Sequence, residues 1–166
     1  MAHHWGITVV AEALKPPALF EWFCERRAAN GMQVVALGPD AGGVLLRALN
    51  NNQTIGLLCD RDILGGGIEV DFFGERTTLP AGPATLSLRT GAPILPNAVY
   101  QVGTKAVGDI RPPIQFDRCG KLRADVQALT QLLANELESL IAAAPEQWHV
   151  LHPNWPSDQP SGSARP

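Results

Sequence analysis

The chain has 166 residues, 45% of them apolar and 17% charged, with a formal net charge of −3. That length carries one domain with its own core and needs no disulfide or structural metal, and the composition excludes an intrinsically disordered protein. Scattered Lys and Arg under a net negative charge, with no zinc-finger, RRM or basic-helix pattern, leave no footprint for nucleic acid.

In chain order, Ile7-Thr8-Val9-Val10-Ala11 is a β-branched run that reads as a buried strand. Pro17 to about Asn30 reads as a helix with Leu19, Phe20 and Phe23 on one apolar face, stopped by Asn30-Gly31. Gln33–Leu37 is again strand-like. Asp40 is placed to cap a short helix through Leu45 and Leu49, ended by Asn50-Asn51-Asn52, and Thr54–Leu58 follows as a buried strand. Three βα alternations of this kind predict an α/β fold, a mostly parallel central sheet flanked by helices, with ligands near the carboxyl ends of the strands, where Asp60 and Asp62 fall.

Beyond the Gly65-Gly66-Gly67 turn, Ile68–Phe73 alternates as a short strand closed by Gly74. Pro83–Thr90 reads as a short apolar helix stopped by Gly91, and Pro93–Tyr100 as an extended stretch with which Val102–Ile110 pairs across Gly103. Val126, Leu129, Leu133, Leu137, Leu140 and Ile141 recur at helical spacing from Leu122 to Ala144, and Pro145 ends the run. The Pro, Ser and Gly rich stretch 156–166 reads as a disordered tail, leaving residues 1–155 as the single domain.

Cys24, Cys59 and Cys119 are odd in number and lack C-x-x-C spacing, which fits free, buried thiols in a reducing compartment. No run approaches the roughly 18 apolar residues of a transmembrane helix, and the start Met1-Ala2-His3-His4-Trp5 is not a signal peptide. Ser87 sits between Leu86 and Leu88, so there is no Gly-x-Ser-x-Gly elbow. His149-x-x-His152 lacks a third metal ligand nearby, and Pro153 ends any helix there. Phe72, Phe73, Trp148 and Trp155 fit either a core or a lipid interface.

Three ordered segments resemble the lipid A late acyltransferase family, and more closely its phosphatidylinositol mannoside acyltransferase branch. They are Thr8–Pro16; then Cys59-Asp60-Arg61-Asp62 with Val70–Glu75, Leu79–Ala84 and Thr90–Pro96; then Pro145-Glu146-Gln147-Trp148-His149. The resemblance implies a glycerolipid acyltransferase-like fold, incomplete at its N-terminus. It also implies transfer of a fatty acyl group from acyl-CoA or acyl carrier protein, as co-substrate and with no cofactor, to a glycolipid or lysophospholipid hydroxyl. The expected setting is the cytoplasmic face of the bacterial inner membrane, with the protein bound peripherally to the membrane surface.

The family's catalytic base is the His of a His-x-x-x-x-Asp or His-x-x-x-x-Glu motif. Five places after His3, His4, His149 and His152 stand Thr8, Val9, Asn154 and Ser157, so none has the acid. The chain therefore reads as a C-terminal part that turns over little by itself. By the same resemblance Asp60 is the acid opposite the base. Asp62 joins it if the segment stays extended, since alternation then puts both carboxylates on one side.

Arg61 reads either as a ligand for an anionic head group or donor phosphate or as a structural ion pair. Gly82, in Pro80-Ala81-Gly82-Pro83, opens a helix and reads either as a structural cap or as a place where backbone N–H groups meet an anion, one fewer for the missing Pro83 N–H. Two other readings remain: a metal-dependent glycosyltransferase holding a divalent ion on Asp60 and Asp62, and a non-catalytic lipid-binding domain.

Overall fold

The computed structural model describes residues 6–12, 14–150 and 152–158. The described chain divides into two compact units: residues up to Leu58 with Arg89–Ala92, and Cys59–Leu88 with the chain from Pro93 onward. The sequence reads as one domain on its length alone.

The first unit holds the βα alternation: β1 (Ile7–Ala11), α1 (Pro17–Ala28), β2 (Met32–Ala36), α2 (Ala41–Asn50) and β3 (Thr54–Gly56). Its sheet is parallel in the order β2-β1-β3, with Ile7 opposite both Met32 and Thr54. Parallel neighbours require crossovers, and α1 and α2 supply them. Gly56 lets β3 close on β1, because a Cβ there would stand 3.2 Å from Val9 Cγ1 and 3.3 Å from Ile7 Cδ1. α2 buries Ala41, Leu45 and Ala48 at helical spacing. Asp40 stands at its N-cap position but makes no side-chain cap bond, its backbone being helical already. α1 buries no residue completely: Phe20 and Phe23 are half-buried while Leu19 is 44% and Trp22 53% exposed.

The second unit is built on two antiparallel hairpins and the long helix. β4 (Ile68–Phe72) pairs with β5 (Glu75–Leu79) through a two-residue turn, Phe73-Gly74. Both turn residues have positive φ, +53° and +78°, as in the type I′ turn that matches strand twist. α3 (Gly82–Thr90) follows, then β6 (Asn97–Val102) paired with β7 (Lys105–Ile110), then α4 (Leu122–Ala142). The expected mostly parallel sheet is thus confined to three strands, and the other two sheets are antiparallel pairs. β5 was not legible as a strand, since Glu-Arg-Thr-Thr-Leu has no apolar alternation.

α4 packs on β4 by its apolar face and stitches that strand's free edge with its polar one. Gln131 accepts from Asp71 N at 2.9 Å and donates to Asp71 O at 2.8 Å; Gln127 donates to Glu69 O, and Glu138 accepts from Phe73 N. Four helical residues rise about 6 Å and two strand residues about 6.8 Å, so Gln127 and Gln131, four apart, meet Glu69 and Asp71, two apart, while Glu138 reaches Phe73 from two turns beyond Gln131. Val70, Phe72, Leu79 and Ala134 form the core beneath, with Leu137, Ile141, Trp148 and Trp155 against it. A second cluster joins Ala84, Leu88, Val126 and Leu129. Each fully buried large side chain contributes about 1.5–3 kcal/mol.

At the α4 start, Asp125 is 1% exposed and accepts from Cys119 N at 2.8 Å, holding the preceding loop. The expected tail is ordered at its beginning. Pro156–Asp158 form a 3-10 turn, and Ser157 bonds Glu75 through both its N–H and its hydroxyl. The remainder of that stretch lies outside the described residues. No described helix is long and apolar enough to cross a membrane.

Candidate functional site

The Asp60-Arg61-Asp62 segment lies between β3 and β4, where the chain bends and belongs to no helix or strand. β3 ends at Gly56, two residues short of expectation, so strand alternation does not set the directions of the two carboxylates. Each is held by its own partners. Asp60 Oδ2 accepts the indole N–H of Trp148 at 2.8 Å, from a residue 88 positions away. Asp62 Oδ2 accepts from Gly67 N at 2.8 Å and from the Thr78 hydroxyl at 3.1 Å, pinning the glycine loop to β5.

Gly67 is required by that closure. A Cβ there would sit 2.4 Å from Leu79 O and 2.8 Å from Asp62 Oδ2, distances that side chains do not tolerate. The triple glycine is therefore a close-approach device as well as a turn. Asp62 also lines a shallow cleft of about 320 Å³ with Glu69, Arg76, Thr78 and Trp155; Asp60 and Arg61 lie outside its lining. Arg61 is half-buried and takes part in none of the ion pairs of the described residues. Gly82 is the first residue of α3 and exposed, with open space where a Cβ would be.

Around Trp148 four rings interlock. Trp148 stacks on Phe73 (centroids 6.0 Å apart, planes at 28°) and stands edge-on to Phe72 at 6.1 Å and Trp155 at 5.9 Å. Trp155 in turn donates its indole N–H to Phe72 O at 2.9 Å. These aromatics form a core, Phe72 being 0% exposed, with an open edge at Phe73, which is 44% exposed. Both indole N–H groups find acceptors, as buried indoles require.

Cys59 is next to Asp60, but its thiol is pushed up to about 12 by burial and, secondarily, by the Asp60 charge. It is not a nucleophile at neutral pH. Cys24 and Cys59 are half-buried and Cys119 is exposed, so none of the three thiols meets the expectation of full burial. His149 is exposed, its Nδ1 3.0 Å from Gln147 O, and His152 is exposed; His3 and His4 lie outside the described residues. Among the described residues no three His, Cys, Asp or Glu side chains converge as a metal site.

The site thus brings together a carboxylate held by an indole N–H, an arginine next to it in sequence that makes no ion pair among the described residues, and an aromatic wall. A family model described as bacterial lipid A biosynthesis acyltransferase matches residues 1–157, and the chain belongs to that family. It is similar to a phosphatidylinositol mannoside acyltransferase of Mycobacterium tuberculosis (strain CDC 1551 / Oshkosh), 39% identical over 161 residues, covering 93% of this chain and 48% of that protein. A phosphatidylinositol mannoside acyltransferase of Mycolicibacterium smegmatis is 38% identical over 157 residues, covering 91% of this chain and 49% of the relative. The chain spans about half the length of the curated relatives it matches.

Proposed function

We propose that this chain is the acceptor-side half of a lipid O-acyltransferase that moves a fatty acyl group from acyl-CoA or acyl carrier protein to a hydroxyl of a glycolipid, a phosphatidylinositol mannoside by analogy with the relatives. In that reaction a base takes the hydroxyl proton, the oxygen attacks the thioester carbonyl, and the tetrahedral adduct collapses to an ester. The departing thiolate then takes the proton back. Asp60 is the carboxylate that orients the acceptor and supports the charge of the site, and Arg61 is the cation for a donor or head-group phosphate.

The observation that carries the reading is Asp60 itself. It is the acid of the family pattern, and here its direction is set by a partner from the far end of the chain. Asp62, tied to Gly67 and Thr78, shapes the loop and one wall of the cleft. The arrangement does not favour a metal-dependent glycosyltransferase, which needs both carboxylates on one divalent ion.

In this reading the base is supplied by a segment carrying His-x-x-x-x-Asp or His-x-x-x-x-Glu, a pattern that these 166 residues do not hold. A peripheral position on the cytoplasmic face of the inner membrane is supported by α1. There the exposed Leu19 and Trp22 share a helix face with Arg26, whose guanidinium lies 5.7 Å from the Trp22 ring centre.

The test is thiol release from acyl-CoA with a lyso-glycolipid acceptor, comparing residues 1–166 with a reading frame extended to include the histidine motif. Turnover by the longer form alone, weakened at least 10-fold by Asp60→Ala, is the expected result. Turnover that requires a UDP-sugar and Mn²⁺ instead would refute the assignment.

A further inference from the structure

We infer that Trp148 is a positioning residue for Asp60, and that the Pro145–Trp148 segment is the device that holds it. The inference rests on the reading of Asp60 given above. Between Gly56 at the end of β3 and Ile68 at the start of β4 no residue belongs to a helix or strand, so no backbone ladder sets where Asp60 points. The indole N–H of Trp148 does, at 2.8 Å. An indole nitrogen only donates, so the contact is one-way: it occupies Oδ2 and leaves Oδ1 for another group.

Trp148 is itself held from two directions. Behind it, Gln147 uses its side-chain amide as a strand would use its backbone, accepting from Gln101 N at 2.7 Å and donating to Gln101 O at 3.2 Å on the outer edge of β6. Beside it, the Phe73 ring lies in stacking contact. Phe73 has φ +53°, a conformation costly for a bulky side chain, where Asn or Gly is the ordinary occupant. Such strain persists only where surrounding contacts impose it, and here it puts an aromatic ring against Trp148. Trp148, Gln147 and Phe73 thus form one chain of contacts from β6 and the β4–β5 turn to the Asp60 carboxylate. This gives the Pro-Glu-Gln-Trp-His segment a role beyond packing, because the indole supplies an N–H donor that the phenyl ring of a Phe lacks.

The experiment compares Trp148→Phe, Asp60→Ala and the double variant in the longest reading frame that turns over acyl-CoA. A second measurement follows the Trp148 indole proton of the 166-residue chain by proton–nitrogen NMR. Trp148→Phe is expected to lower kcat about 10-fold, the effect of one lost charge-assisted hydrogen bond. It should leave KM for acyl-CoA within about twofold and cause no further loss on the Asp60→Ala background. The indole proton is expected to move when Asp60 becomes Ala.

Wild-type kcat in Trp148→Phe beside a crippled Asp60→Ala overturns the positioning role and leaves the Asp60 reading standing. Full losses from both changes that multiply in the double variant also overturn it. Undiminished turnover by Asp60→Ala overturns both readings. An indole resonance indifferent to Asp60→Ala overturns the contact.

Discussion

Truncating Phe72 to alanine is the sharpest test of the second unit. Its side chain is 0% exposed and sits with Val70, Leu79 and Ala134, in ring contact with Phe73 (4.9 Å), Trp155 (5.9 Å, planes at 19°) and Trp148 (6.1 Å). A Phe→Ala change in a core costs about 3–5 kcal/mol, transfer and cavity together. Aromatic pairs add about 0.5–1.5 kcal/mol beyond area, so three lost partners place the expected loss near the upper end. The cavity cannot collapse readily, because Phe72 O also anchors Trp155 and the strand is stitched to α4 on both sides of it. At roughly 2–4 °C per kcal/mol for a chain of this size, the melting midpoint should fall by about 10–15 °C. Urea denaturation read by tryptophan fluorescence measures this directly, since Trp148 and Trp155 flank the site. A loss below about 1.5 kcal/mol with an unchanged m-value would show that the four rings do not form a packed core.

Three further outcomes are expected. Asp125 is held below its ordinary 3.8, first by the hydrogen bond from the Cys119 side chain, then by the N–H groups of Cys119 and Gly120 and the Arg118 charge, against the opposing cost of burial. Its contribution is therefore complete above pH 3.8 and is lost as pH falls through the depressed value; thermal midpoints from pH 5 to about 2.5 should drop less steeply in Asp125→Asn than in the native chain. With the Cys59 thiol at about 12, its thiolate fraction at pH 8 is about 10⁻⁴, so a disulfide reagent should label exposed Cys119 at once and half-buried Cys59 far more slowly, as peptide mass mapping would show. Gly67→Ala should cost at least about 2 kcal/mol in urea, because the new methyl must displace Leu79 O or the Asp62 carboxylate.

Local signals in the sequence were reliable where local physics decides. The α4 run is bounded by Pro145 and its apolar spacing survives in the burial of Val126, Leu129, Leu133 and Leu140, and the β6–β7 hairpin forms across Gly103 as its spacing suggests. β5 escaped because its stabilising partners are β4 and the turn, and Phe-Gly lacks the Asn-Gly signature of such turns. The site was legible in part. Asp60 stands out by the family resemblance of its segment, but the direction of its carboxylate depends on Trp148, a contact across 88 residues that no periodicity encodes. The paired-carboxylate expectation required an extended segment, and it gave way once Gly67 N and the Thr78 hydroxyl captured Asp62.

The β6–β7 ribbon has a practical consequence. Two strands alone are marginal in water, and this pair leaves Val99, Val102, Val107 and Ile110 between 46% and 70% exposed, with Gln147 closing the outer edge of β6 only at Gln101. An open, apolar strand edge is a template for pairing with a second molecule. Purified by itself and concentrated, the chain will be adhesive at this ribbon, so charged substitutions at Val99 and Ile110 are the rational first step toward a sample that stays in solution.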